Sequence, residues 1–150
     1  MRRVWPWILG LSFLFCCICP SNRVEFVGED GRVVLSFPVY SGEFFATEYI
    51  HSVQLCPVVD LYCVTGKSLR LWEERTQSTN AGLPTEAPPN GRFLHQAPWY
   101  RYIGGGRTFR SIRLRVGDKE TGRNVLILPS RRRVELYGLF AGELLTLRVR

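Results

Sequence analysis

The chain has 150 residues, the length of one domain, with 45% hydrophobic and 22% charged residues, a balance that excludes a disordered segment or a polar repeat array. The formal net charge is +7, carried almost wholly by arginine, since Lys67 and Lys119 are the only lysines. That charge invites a nucleic-acid reading, but the arginines are spread along the strands rather than clustered with stacking aromatics. A basic surface without a nucleic-acid ligand is therefore favoured.

Residues 1–20 open with Arg2 and Arg3, followed by an uncharged apolar run from Val4 to Cys19. This is the pattern of a secretory signal peptide or N-terminal membrane anchor, with the basic end left on the cytoplasmic side. The run is slightly short for a comfortable bilayer span. No Ala-x-Ala site follows, and Pro20 disfavours cleavage after Cys19. An uncleaved hydrophobic helix that anchors the chain is preferred over a cleaved signal, and a lipoprotein is third. Residues 21–150 are then an extracytoplasmic β domain, periplasmic or at the cell surface, anchored or secreted.

Beyond residue 21 the apolar residues alternate with a period of two, and turn residues recur at short intervals. Strands are expected over 23–27, 32–37 (stopped by Pro38), 44–53, 58–64, 68–77, 92–95, 99–103, 110–116, 124–128, 134–137 and 144–149. A tight turn is expected at Gly66-Lys67, and a long loop rich in Gly, Pro, Asn, Ser and Thr over 78–91. In 110–116, Ile112, Leu114 and Val116 share one face, with Arg113 and Arg115 on the other. No helix is expected in this part. The fold class is mostly β: a single antiparallel β-sandwich or partly open barrel of about ten short strands. Gly104–Gly106 lacks a following helix and a Gly-Lys-Ser/Thr, so it reads as a flexible turn rather than a phosphate loop. Arg131–Arg133 reads as a solvated loop in preference to a headgroup contact.

Three cysteines lie in the apolar run, leaving Cys56 and Cys63 for the β domain. On an extended strand they stand about 20 Å apart, beyond disulfide reach. Cys63 is expected to be a small buried hydrophobe.

The most informative stretch runs from Glu48 to Tyr62. A four-residue loop at 54–57 would set Val53 against Val58, His51 against Asp60 and Tyr49 against Tyr62. The Gly66-Lys67 turn would then set Asp60 against Glu73 and Tyr62 against Leu71. His51, Asp60 and Glu73 would form one polar row beside a second row of Tyr49, Tyr62 and Leu71. Ile50, Leu61 and Trp72 would face the core on the other side, and loop 78–91 would rise beside the polar row. Such a row could share a divalent ion, orient His51 for acid–base work, or be a cross-strand ion pair that fixes register. The last is preferred, with ligand or partner binding next and catalysis third. His95 has no partner in its own segment and reads as a half-buried strand residue. Gly-x-Ser-x-Gly, His-Glu-x-x-His and paired Cys-x-x-Cys motifs are absent, and Ser52 points away from His51 in a regular strand. Neither an enzyme nor a cofactor is implied.

Tyr49-Ile50-His51-Ser52-Val53, Pro57-Val58, Asp60 and the block Ala81-Gly82-Leu83-Pro84 resemble the small domain-of-unknown-function family often encoded beside TAXI-type TRAP transporters. Arg75 to Ser78 fit the same pattern, whereas Asn80 stands where the family carries the first of two glycines. The resemblance implies an extracytoplasmic accessory protein, with TRAP transporter subunits or the solute-binding protein as partners and no catalytic residues. Its blocks mark His51, Gly82, Leu83 and Pro84 as binding residues beside Asp60, Glu73, Tyr49 and Tyr62. The alternative is a stand-alone binding module for a metal ion or small solute held by the His/carboxylate row.

Overall fold

The computed structural model describes residues 22–150. The signal or anchor expected over 1–20 lies outside the described residues. Among these residues, no helix is long and apolar enough to cross a membrane.

The regular structure of the described chain is almost entirely strand, arranged as two antiparallel sheets. In chain order the strands are β1 (Asn22–Val27), β2 (Val33–Val39), β3 (Phe44–Ile50), β4 (Pro57–Thr65), β5 (Ser68–Thr76) and β6 (Gly91–Gln96). They continue as β7 (Trp99–Gly104), β8 (Thr108–Phe109), β9 (Ser111–Arg115), β10 (Val125–Ile127), β11 (Arg133–Glu135) and β12 (Leu144–Val149). A single-turn helix, α1 (Leu136–Leu139), interrupts the last stretch. Sheet one has the order β2-β1-β12-β9, and sheet two the order β11-β10-β3-β4-β5-β7-β6, with β8 pairing the start of β5. Neither sheet closes on itself, so of the two expected architectures the sandwich form describes the molecule and a barrel does not.

Alternation sets which face is buried. Leu145, Leu147 and Val149 of β12 turn inward with Val24 and Phe26 of β1 and Phe37 and Val39 of β2. Sheet two answers with Phe45, Tyr62, Val64, Leu69, Leu71 and Leu126. Phe37 meets Phe45 edge-on across the two sheets, ring centres 5.6 Å apart.

The structure departs from several sequence expectations. Pro38 does not stop β2: the strand runs on to Val39, with Pro38 opposite Arg23. β2 is an edge strand, where the missing N–H costs no ladder bond. The strand expected over 134–137 is divided between β11 and α1. Thr108–Phe109 forms a short strand where none was expected.

The hairpin arithmetic succeeds at one turn and fails at the other. Thr65 pairs with Ser68 and Tyr62 with Leu71, as the tight turn requires. A bulge then shifts the register, so that Leu61 faces Glu73 and Asp60 faces Glu74. On the other side β3 ends at Ile50, which pairs with Pro57, and residues 51–56 form the loop. Tyr49 therefore faces Val58, and Asp60 faces Thr47. The face assignment is reversed as well: Trp72 is 41% exposed, and Ile50 and Leu61 are half-buried rather than core.

Candidate functional site

The polar row expected from His51, Asp60 and Glu73 is not assembled, because each of the three has a different setting. His51 lies in the 51–56 loop. Its Nδ1 accepts the backbone N–H groups of Val53 and Gln54 at 3.3 and 3.2 Å, which places the ring proton on Nε2. Its own N–H donates to the Cys56 carbonyl at 2.9 Å, and its carbonyl accepts from Leu55 at 2.8 Å. His51 thus organises a loop. Glu73 is moved to the opposite face of sheet two by the bulge. There it is 3% exposed, gripped by Arg75 (2.7 Å) and by two contacts from Arg101, one of them Nη2 to Oε2 at 2.9 Å. Burial alone would raise its carboxyl; the hydrogen bonds from Arg101 and Arg75, with their charges, outweigh that and hold it below the usual range. Among the described residues, no group of three or more His, Cys, Asp and Glu side chains is placed to hold a metal ion.

A different cluster forms on the inward side of sheet two. The bulge sets Glu74, instead of Glu73, across from Asp60, and Tyr102 of β7 across from Glu74. Tyr62 donates its hydroxyl to Asp60 Oδ2 at 3.3 Å. Asp60 stands between two apolar groups on its own strand: Tyr62 and Val64 belong to the main core, and Val58 packs with Cys56, Leu83 and Tyr49. This position explains its electrostatics. Burial first, then the charge of Glu74, pushes the Asp60 carboxyl from 3.8 up to about 7, opposed by the Tyr62 hydrogen bond and by Arg107. Arg107 instead pairs with Glu74 at 3.1 Å. Burial, then Asp60 and Glu74, push Tyr49 up to about 12. Tyr62 and Tyr102 are raised as well, burial being the largest cause for each. The result is a carboxylate pair beside tyrosines that keep their phenolic protons, an arrangement that both donates and accepts hydrogen bonds.

The second sequence block closes over this face. Leu83 is buried against Cys56, Val58 and Tyr49. The Pro84 carbonyl accepts the Tyr102 hydroxyl at 2.5 Å. The Ser78 hydroxyl donates to Gln54 Oε1 at 3.0 Å, tying loop 77–90 to loop 51–56. Gly82 is an open turn position with φ +84° and no neighbour for a Cβ to meet. The left-handed residue beside it is Ala81 (φ 57°), not Asn80, whose carbonyl closes the turn by accepting Leu83 N–H at 3.3 Å. On the other side of the loop, Tyr49, Ile50, His51, Ser52, Arg115 and Asn124 line an open cleft of about 420 Å³.

Of the sequence candidates, Tyr49, Asp60, Tyr62, Leu83 and Pro84 are brought together. His51 and Gly82 lie in the loops that frame them, and Glu73 is excluded. Thr47, Glu74, Tyr102 and Arg107 were missed. The spacing Tyr100-x-Tyr102 carried a usable signal, whereas Glu74 depended on a bulge that nothing in the spacing announces. His95, on a strand as expected, is exposed rather than half-buried and stacks on Tyr100 of the neighbouring β7, ring centres 4.5 Å apart.

The model of the family described as Domain of unknown function (DUF1850) matches residues 45–134. The chain belongs to that family. No curated protein and no solved structure matches it. The matched span holds all of sheet two except Phe44, the first residue of β3, and Glu135, the last of β11, and holds all residues of the tyrosine–carboxylate cluster. It leaves out β1, β2 and β12, three of the four strands of sheet one in this DUF1850 protein.

Proposed function

We propose that this protein is a non-enzymatic, extracytoplasmic accessory of a TAXI-type TRAP transporter, held at the membrane by residues 1–20. It contacts the solute-binding protein or the membrane subunits through the face framed by loops 51–56 and 77–90. One observation carries the choice of face. The two sequence blocks behind the resemblance, Tyr49–Asp60 and Ala81–Pro84, lie more than twenty positions apart in sequence yet pack on one another through Tyr49, Val58 and Leu83. The hydrogen bonds within loop 51–56 preform its backbone, and preformed loops bind without an added ordering cost. The location rests on the basic start and apolar run of residues 1–20.

The test is a crosslinked pull-down of the tagged full-length chain from native membranes, with mass spectrometry of what accompanies it. Transporter subunits are expected in the eluate, at reduced yield for Ser52→Arg, which crowds the exposed cleft without touching the buried cluster. Recovery of the chain alone, from membranes where the intact transporter is shown to be present, rejects the accessory role.

A further inference from the structure

Sheet one has two unlike faces. Its inner face is the apolar core described above. On the outer face the register sets Arg23 beside Arg150, each donating its backbone N–H to the other's carbonyl at 2.9 Å. The next row pairs Glu25 with Arg148 and Arg148 with Ser111. Beyond it Thr146 faces Arg113, and Leu144 faces Arg115. Residues directly opposite share a face, so this surface carries Arg23, Arg113, Arg148 and Arg150, with Arg115 at its far edge, where it also lines the cleft beside loop 51–56. Its one acid is Glu25, which is 6% exposed and neutralised by Arg148 at 2.9 Å. Arg23, Arg113, Arg115 and Arg150 are exposed. The acids nearest in the fold, Glu29, Asp30 and Glu143, gather with Arg32 at the far end of the sheet, away from the start of β1.

The position of the chain's apolar run selects the partner. β1 begins at Asn22, and only Pro20 and Ser21 separate it from the uncharged stretch Val4–Cys19. Three residue steps reach at most about 10 Å, about one screening length at 0.1 M salt. With the apolar stretch in a bilayer, as proposed above, the first row of this face stands within headgroup reach.

We propose that the outer face of sheet one docks on an anionic phospholipid surface and fixes the domain's orientation, with sheet two's loops directed away from the bilayer. This rests on the membrane location proposed above. The guanidinium groups pair with lipid phosphates, and the sum of several such contacts orients a domain that a single flexible attachment would leave free to tumble.

The experiment uses the full-length chain in lipid nanodiscs, either pure phosphatidylcholine or equal parts phosphatidylcholine and phosphatidylglycerol. Phenylglyoxal labels arginines, and mass spectrometry reads the rate at each one. In anionic discs Arg113 and Arg150 should label about fivefold more slowly than in neutral discs, the ratio matching ~1 kcal/mol for one basic side chain at an anionic surface. Arg131 and Arg132, exposed on the turn between β10 and β11, should keep their rates. The difference should vanish at about 1 M salt, where screening shortens to ~3 Å. Equal rates in the two discs, with the chain still migrating with the disc, overturn the docking face and leave the anchor standing. A chain that does not migrate with either disc overturns both. Slowing by duplex DNA, without slowing by anionic discs, reassigns the face to nucleic acid.

Discussion

At the scale of single residues, Asp60 and Glu73 show how one inserted position separates two carboxylates into opposite roles. Asp60 is held protonated toward neutrality by burial and Glu74, whereas Glu73 is held ionised by Arg101 and Arg75. Between pH 3.8 and about 7 the folded chain keeps an Asp60 proton that the unfolded chain has released. Folding therefore takes up a proton in that window. The contribution is fully present below the unfolded value and is lost as pH rises through the folded one, at up to about 1.4 kcal/mol per pH unit. The melting temperature should fall between about pH 4 and 7 and level off above that, and Asp60→Asn, which still accepts from Tyr62, should flatten that slope and raise stability at pH 8. Thermal unfolding followed by circular dichroism at several pH values checks it; an equal slope in wild type and variant refutes it. Glu73 has the opposite sign, since its folded value is depressed: its contribution is present above the unfolded value and is lost as pH falls toward the acid range. Glu73→Ala removes the shared acceptor of two arginines and should cost about 2 kcal/mol at neutral pH, below the full buried-pair figure because Arg75 and Arg101 remain partly solvated. Urea unfolding measures it.

At the scale of elements, the two loops over the cluster behave as one unit. Leu83 is the apolar pin of loop 77–90, and Leu83→Ala should cost about 2–3 kcal/mol in chemical denaturation, as buried leucine truncations do. Trp72, by contrast, is the extra residue of the bulge and lies on the surface, where it meets Phe44 edge-on and Arg70 from above. Trp72→Ser should cost under about 1 kcal/mol, far less than a core tryptophan. The same pair of elements marks what the sequence made legible. β9 and β12 were readable because Ile112-x-Leu114 and Leu145-x-Leu147-x-Val149 alternate without interruption. The Gly66-Lys67 hairpin was readable because a tight turn leaves only one register. The β3–β4 connection was not, since His51 and Ser52 look as much like strand ends as like loop. Its true register differs from the expected one by an even number of positions, which keeps Tyr49, Asp60 and Tyr62 on a common face even though their partners change. That is why most of the site was found from a wrong pairing. Glu73 and Glu74 were exchanged because a one-residue bulge flips every later side chain to the other face, and no local signal separates two adjacent glutamates.

At the scale of the whole molecule, the family-matched span and the folding unit differ. Residues 45–134 contain the cluster and nearly all of sheet two, but the inner face of that sheet is covered by β1, β2 and β12. Without them Phe45, Tyr62, Val64, Leu69 and Leu71 lose the layer opposite, and Phe45 loses its edge contact with Phe37. A sheet with one apolar face bare has no core of its own. β12 matters most, because it stands between β1 and β9 and closes sheet one from the far end of the chain. A protein spanning only 45–134 should therefore lack a cooperative unfolding transition and bind a hydrophobic dye, whereas one spanning 22–150 should unfold in a single sharp step. Removing Leu144–Arg150 alone should reproduce the defect of the shorter span, since it separates β9 from the β1–β2 pair. Calorimetry of the three chains decides the point. A sharp transition in 45–134 would mean that sheet two and its tyrosine–carboxylate cluster are self-sufficient and that sheet one is an addition to this protein rather than half of its core.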